Sequence, residues 1–376
     1  MNNNIQRPFY FEINYFCGYI SNLVSMGKLL FISLLFSFSF SIPISAQEIV
    51  LISKYETKSN LYSTPIVTKN DLVVFGGHDK HIYIFNANSE LITNYKTKRW
   101  IHASPYELSN GDIVIGSYDK HIYVFDSEGK FNYSYQPGGC IYSKPLQISD
   151  TTYAFGSNKL GLVFYNMNDS SIYQFAKTKR ITHTSMSMDS RGYIYLGAMD
   201  KRIYAIDNKA KIRHTFQAKA WFMHSRPTVV NNNLILAGSY DNNLYFLDST
   251  LNLKTKFKTQ GRIHGNPLIL NDSTIVIGSF DKNVYFINMQ GKLKYTFKTE
   301  GKVISTPVKM LDGNIIVCSY DQYIYIISPT AKLLAKYKTE GHIFSSPAIR
   351  SDGSFVVGSN DNYIYFLKYQ KKELVK

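Results

Sequence analysis

A unit of about forty residues recurring eight times, four short strand patterns in each unit, and 30 Tyr with 24 Phe together predict an all-β fold. The expected architecture is an eight-bladed β-propeller of four-stranded antiparallel blades, closed by the N-terminal strand of the mature chain. Repeats of this period bury their apolar faces only against their neighbours, so they override the usual relation between length and domain count. Tyr, Phe, Ile and Val suit a pleated, packed surface, which agrees with the composition.

The units register on a Ser/Pro landmark at Pro65, Pro105, Pro145, Ser185, Pro227, Pro267, Pro307 and Pro347. Successive landmarks lie forty apart, apart from two extra residues shared between the fourth and fifth units. A Pro is tolerated at a strand start whose N–H no ladder needs. After the landmark comes a short strand, then a polar turn such as Ser109-Asn110-Gly111-Asp112. The second strand ends near a Gly (Gly76, Gly116, Gly156, Gly197, Gly238, Gly278, Gly358), with Cys318 taking that place in the seventh unit. The next turn carries Asp79, Asp119, Asp200, Asp241, Asp281, Asp321 or Asp361. The third strand reads Ile-Tyr-Ile-Phe or a close variant, and the fourth runs through segments such as Leu293–Thr299 into the next unit. The middle strands are apolar nearly throughout, the pattern that burial on both faces produces. Sheets repeated radially and packed face to face supply that burial.

Closure is also legible. The eighth unit runs out at Leu374-Val375-Lys376 before its fourth strand is complete, while Ile49–Thr57 matches the fourth-strand pattern of Leu333–Thr339. The N-terminal strand is therefore expected to complete the last blade and cover its open edge.

Before this strand, Met26-Gly27-Lys28 leads into the apolar run ending at Ala46, which reads as a signal peptide with a small residue at the cleavage point. The expected domains are 1–25 as a start-site extension, 26–46 as the signal peptide, and 47–376 as one propeller. An uncleaved anchor is the alternative, but the Ser-interrupted run falls short of the roughly 20 apolar residues of a span. The expected location is periplasmic or secreted, with no transmembrane span in the mature chain. Export permits disulfides, yet Cys140 and Cys318 belong to the third and seventh units, across an eight-membered ring and beyond disulfide reach. Two free thiols and no disulfide are expected.

Ser345-Ser346-Pro347-Ala348-Ile349, Asp352–Ser359 and Asp361–Leu367 make these units resemble the pyrroloquinoline-quinone-like (PQQ-like) β-propeller repeat, over essentially all of 47–376. The resemblance implies the fold; it leaves function open among quinone-dependent dehydrogenases, an outer-membrane assembly scaffold and sensor or adaptor domains. The enzymes of that family are similar to one another in fourth-strand Trp residues, a Trp platform under the quinone, and adjacent cysteines. Here the fourth strands carry Tyr95, Tyr135, Phe257, Phe297 and Tyr337, only Trp100 and Trp221 occur, and no Cys-Cys pair exists. No converging oxygen set suits a calcium ion beside the quinone. The resemblance therefore implies the non-enzymatic branch, with no cofactor and no metal.

A position kept in every unit reads as structural, and one that varies is freer for function. The Asp column, broken by Lys159 in the third unit, reads as structural by this test, since Asp in a tight hairpin bonds the backbone two residues on. The column three residues before the landmark varies: Tyr62, His102, Tyr142, Thr182 (beside His183), His224, His264, Ile304, Phe344. It links an outer strand to the next innermost strand, so it should surround the mouth of the central channel. Arg99, Trp100, Arg180, Trp221 and Arg262 lie just before it. The candidate ligand-binding set is thus Arg99, Trp100, His102, Arg180, His183, Trp221, His224, Arg262 and His264; no catalytic residue is assigned.

With a net charge of +15, these residues suggest an electropositive mouth for an anionic polymer or a protein, with the tryptophans as stacking surfaces. Ordinary solvated loops of a basic protein are the plainer alternative. A propeller enzyme is another, since His183, His224 and His264 look like the His cluster of propeller polysaccharide lyases. Nucleic acid is not expected, because no recognised binding module is present. The functional expectation is an exported, non-enzymatic binding scaffold recognising a protein or anionic polysaccharide.

Overall fold

The structure is a computed structural model that describes residues 47–175 and 185–371. The leader expectation, Arg180 and His183 fall outside these residues. The described residues form eight four-stranded antiparallel sheets. The first blade is representative: Ile66–Val67, Val73–Gly76, His81–Phe85 and Leu91–Lys96 pair in that order. Six further blades repeat this meander, and the eighth combines Ala348–Ile349, Phe355–Gly358 and Tyr363–Lys371 with Gln47–Glu56. The N-terminal strand runs antiparallel to the last strand, from Gln47 opposite Lys371 to Glu56 opposite Tyr363. Closure by that strand is as the sequence pattern anticipates.

Burial follows strand position within each blade. Second and third strands such as Val73–Gly76 and Ile122–Phe125 are buried on both faces, whereas the fourth strand Leu91–Lys96 alternates half-buried with exposed residues. The core is divided into clusters that each join two neighbouring blades. One unites Val74, Ile82 and Ile84 of the first blade with Ile113, Ile115 and Phe125 of the second. Another unites Val356, Ile364 and Phe366 of the eighth with Val73, Phe75 and Phe85 of the first, so packing continues through the closure. The glycine ending the second strand permits this approach. A Cβ on Gly278 would lie 2.3 Å from Val303 Cγ1, which enters from the following linker.

The Asp column knits blades together. Asp119 Oδ2 accepts from the Tyr123 hydroxyl at 2.7 Å and from the Lys98 N–H at 3.0 Å, while its Oδ1 accepts from the His121 N–H at 3.0 Å. Lys98 lies on the linker leaving the first blade, so one carboxylate ties two blades to one turn. Asp79, Asp241, Asp281, Asp321 and Asp361 each accept a linker N–H in the same way. Burial alone would raise the Asp119 carboxyl, but the Tyr123 hydroxyl and the Lys98 and His121 N–H groups outweigh it and hold it below its ordinary value. Fourth-strand aromatics reinforce the joint: Tyr95 lies 5.5 Å from the Tyr123 ring and Phe297 5.5 Å from Tyr325, each on the next blade.

Strand pairing corrects one register. Tyr106 pairs with Val114, two residues before Gly116, and Ser187 pairs with Tyr195, two residues before Gly197. Met186, not Ser185, therefore stands in the proline column of the fourth unit. A Ser one residue before the true landmark mimicked the landmark itself, because Ser precedes Pro in other units. Counted back from Met186, the residue three before that unit's landmark is His183, not Thr182, and both lie outside the described residues. Cys140 and Cys318 are both free thiols; Cys318 is buried, which pushes its thiol well up.

Candidate functional site at the channel mouth

The linker entering each blade and the turn joining its second and third strands meet on one face. Each such turn is tight. In the first blade the Gly77 carbonyl accepts from the Lys80 N–H at 3.2 Å, and Lys80 adopts a left-handed φ of 73°. Lys80, Lys98, Arg99, Trp100, Tyr118, Cys140 and Tyr142 line one cavity of about 500 Å³ at this face, so two lysines and an arginine surround an indole. Trp100 is 51 % exposed and Trp221 41 %. The two are equivalent by repeat, since their carbonyls accept from Tyr118 N–H and Tyr240 N–H respectively, each at 3.0 Å. Arg262 lies over the Tyr240 ring at 5.2 Å. The Asp side chains of these turns are held by backbone N–H and Tyr hydroxyl groups, which fixes their carboxylates within the turns.

Below the exposed residues, rings close the channel. Phe344 lies 5.2 Å from His264, 6.0 Å from His102 and 6.1 Å from His224 between ring centroids, and 5.0 Å from Tyr62. His102 and His224 enter from blades three apart yet lie 5.6 Å from each other. His224 and His264 stack at 4.2 Å with 20° between their planes. His264 is buried, and its Nδ1 lies 3.1 Å from the Ile304 carbonyl oxygen. His224 reaches this position with a left-handed φ of 67°, one residue later than His102 relative to the preceding core residue, because Met223 is an extra residue of the fifth unit. His224 and His264 meet face to face, whereas Phe344 meets all three histidines edge-on. Among the described residues no group of three His, Cys, Asp or Glu is arranged to hold a metal ion.

Of the sequence-derived set, the structure brings His102, His224 and His264 together around Phe344 and leaves Arg99, Trp100, Trp221 and Arg262 on the exposed rim. A second column at the mouth was missed: His78, Tyr118, Tyr240, Phe280 and Tyr320, each preceding the turn's Asp. His78 stacks on Trp100 at 5.2 Å with 5° between planes, and its Nε2 is 3.2 Å from His102 Nδ1. Burial lowers His78 to about 4, against the opposing pull of Asp79, so it is a neutral aromatic partner at neutral pH. Burial likewise pushes Tyr240 up to about 12 although Arg262 pulls the other way. The variability test that singled out the linker column applies equally to this one.

Just inside the plug lies a ring made by the residue immediately before each landmark: Thr64, Ser104, Lys144, Ser185, Arg226, Asn266, Thr306 and Ser346. All eight line one cavity of about 240 Å³ with the plug residues, and no carboxylate contributes to it. Side chains link successive members. The Arg226 N–H donates to Asn266 Oδ1 at 2.6 Å, Asn266 N–H to Thr306 Oγ1 at 2.9 Å, and Thr306 N–H to Ser346 Oγ at 2.8 Å. Ser346 N–H continues to Thr64 Oγ1 at 3.3 Å and Thr64 N–H to Ser104 Oγ at 3.2 Å. Lys144 and Arg226 are the two ring members with no side-chain acceptor.

No family model matches the chain, and no curated protein matches it. Solved structures do. BamB from Moraxella catarrhalis superposes with a TM-score of 0.70 at 16 % identity, covering 85 % of this chain and 99 % of that one. The computationally designed Ika8 protein gives 0.68 at 12 % identity, over 83 % and 96 % of the two chains. The WD40 β-propeller domain of Doa1 gives 0.60 at 15 %, over 86 % and 98 %. Identities this low carry the fold and nothing beyond it, and with the eight closed sheets they make the chain an eight-bladed β-propeller.

Proposed function

We propose that this chain is a non-enzymatic binding scaffold of the cell envelope or exterior that recognises a protein or an anionic polysaccharide on its basic channel face. The observation that carries the reading is the mouth cavity, where Lys80, Lys98 and Arg99 surround the half-exposed Trp100 with no carboxylate in the lining. Cations and an exposed indole in one concavity suit sugar stacking together with carboxylate or sulfate recognition. The ring plug supports surface binding over threading, because a polymer laid on this face meets Phe344 and the histidines as a floor. The repeat's resemblance to the non-enzymatic branch of PQQ-like propellers agrees with this reading.

The test is binding of the purified chain to polygalacturonate and to heparin at two salt concentrations, with Arg99→Ala and Trp100→Ala alongside. Affinity should fall steeply between 50 and 200 mM salt, since exposed charge pairs are screened within about 8–10 Å. Each substitution should weaken binding several-fold. Affinity independent of salt would sink the electrostatic mouth.

A further inference from the structure

We propose that the channel holds a small oxyanion, bound between Lys144 and Arg226 in the ring beneath the ring plug. The inference goes beyond the mouth reading, since the site is interior and takes a small ion. Six of the eight ring positions are neutral Ser, Thr or Asn, and the two cations come from the third and fifth blades with only Ser185 between them. They line a cavity without a carboxylate, and Arg226 Nε is buried with no hydrogen-bond partner among the described residues. Lys144 Nζ lies 5.6 Å over the Tyr106 ring, but no carboxylate neutralises either half-buried cation, and placing the two beside one another is unfavourable. A bound anion is what relieves both.

The ring's own hydrogen-bond pattern points the same way. Elsewhere the backbone N–H of one member donates to the side chain of the next, as from Asn266 to Thr306. Lys144 and Arg226 offer no acceptor, so the N–H groups of Ser104 and Ser185 have none from the member that follows them. Two cationic heads and two backbone donors therefore collect on one side of the channel, beside the hydroxyl groups of Ser104 and Ser185. With no carboxylate in the lining this is a donor-rich environment, the chemistry that recognises phosphate, sulfate or carboxylate. The electrostatics agree: burial, with the Arg226 charge adding to it, lowers Lys144 to about 8. A bound anion raises it again. Size follows from the cavity, which at about 240 Å³ is below the roughly 300–1,000 Å³ of pockets for drug-sized ligands.

The experiment is isothermal titration of the full chain with sodium sulfate, sodium phosphate and sodium acetate at low ionic strength. One site per chain is expected for at least one of them. Lys144→Gln and Arg226→Gln should each weaken it tenfold or more, while Lys332→Gln on the outer rim leaves it unchanged. A preference for sulfate or phosphate assigns a tetrahedral oxyanion, and a preference for acetate assigns a carboxylate. Heat from none of the three, or binding untouched by both channel substitutions, overturns the proposal. Thermal shift gives a second readout should Arg226→Gln fail to fold: the anion that binds should raise the wild-type Tm and leave that of Lys144→Gln unmoved. An equal rise in both would also overturn it. Polysaccharide binding followed in the same variants keeps the two readings apart, because the channel substitutions should weaken anion binding tenfold or more while the mouth retains its polymer.

Discussion

Replacing Asp119 by Ala should destabilise the propeller by about 3–5 kcal/mol. The side chain is 2 % exposed and accepts three hydrogen bonds, from Tyr123, Lys98 and His121. Each buried donor left without an acceptor costs about 1–3 kcal/mol, and solvent reaching the exposed Lys98 linker brings the total toward the lower half of the sum. Tyr123→Phe removes one donor and leaves the two N–H groups in place, so about 1–2 kcal/mol is expected. Urea unfolding at constant temperature separates these values. The sign with pH is also determined. Because the Asp119 carboxyl lies below its unfolded value in the folded state, its contribution is complete above that unfolded value, near 3.8, and is lost as pH falls through the folded one. The gap between wild type and Asp119→Asn should therefore be constant at neutral pH and narrow below about pH 4. An Asp119→Ala chain unfolding within about 0.5 kcal/mol of wild type, the range of ordinary surface substitutions, would refute the view that this column joins the blades.

Two further outcomes are expected. Deleting residues 47–58 removes the strand paired with Tyr363–Lys371 and the Tyr55 ring that lies 5.2 Å from Phe85 of the first blade, so the whole ring should lose stability cooperatively; an unchanged unfolding midpoint would show that closure lies elsewhere. In buffer free of sulfate, phosphate and carboxylate, Lys144→Met should stabilise the chain at pH 7 by up to about 3 kcal/mol, taking 1.36 kcal/mol per pKa unit between about 8 and 10.5. The folded state binds fewer protons than the unfolded one between these values, so wild type should recover the difference as pH rises through 8 toward 10.5; a gap independent of pH would remove Lys144 as its source.

The repeat made most of the fold legible. Eight copies of one pattern expose strand order, turn positions and even the displaced fourth strand at Ile49–Thr57, because each unit reports independently on the same backbone. The Asp column was readable as structural for the same reason. What the pattern left out was its inter-blade partner: that Asp119 also holds Lys98 of the preceding linker follows from how blades stack. The mouth was half legible. His102, His224 and His264 stood out as departures from their column, whereas His78 and the aromatic residues aligned with it sit beside the conserved-looking Asp and were hidden by it. The fourth unit was misregistered because Ser185 occupies the Ser position of a unit whose proline is replaced by Met186.

Sequence alone determined that this chain is a closed ring of eight sheets, since local strand periodicity and repeat spacing leave apolar faces that only neighbouring blades can bury. It also determined which face is basic and aromatic. Only the tertiary structure decided what stands opposite what across the axis. Residues forty or more apart, such as His102 and His224, become ring neighbours at 5.6 Å, and Lys144 and Arg226 come to share one carboxylate-free cavity. Contacts across a propeller axis depend on the summed rotation of all the blades between them, and no local pattern encodes that sum.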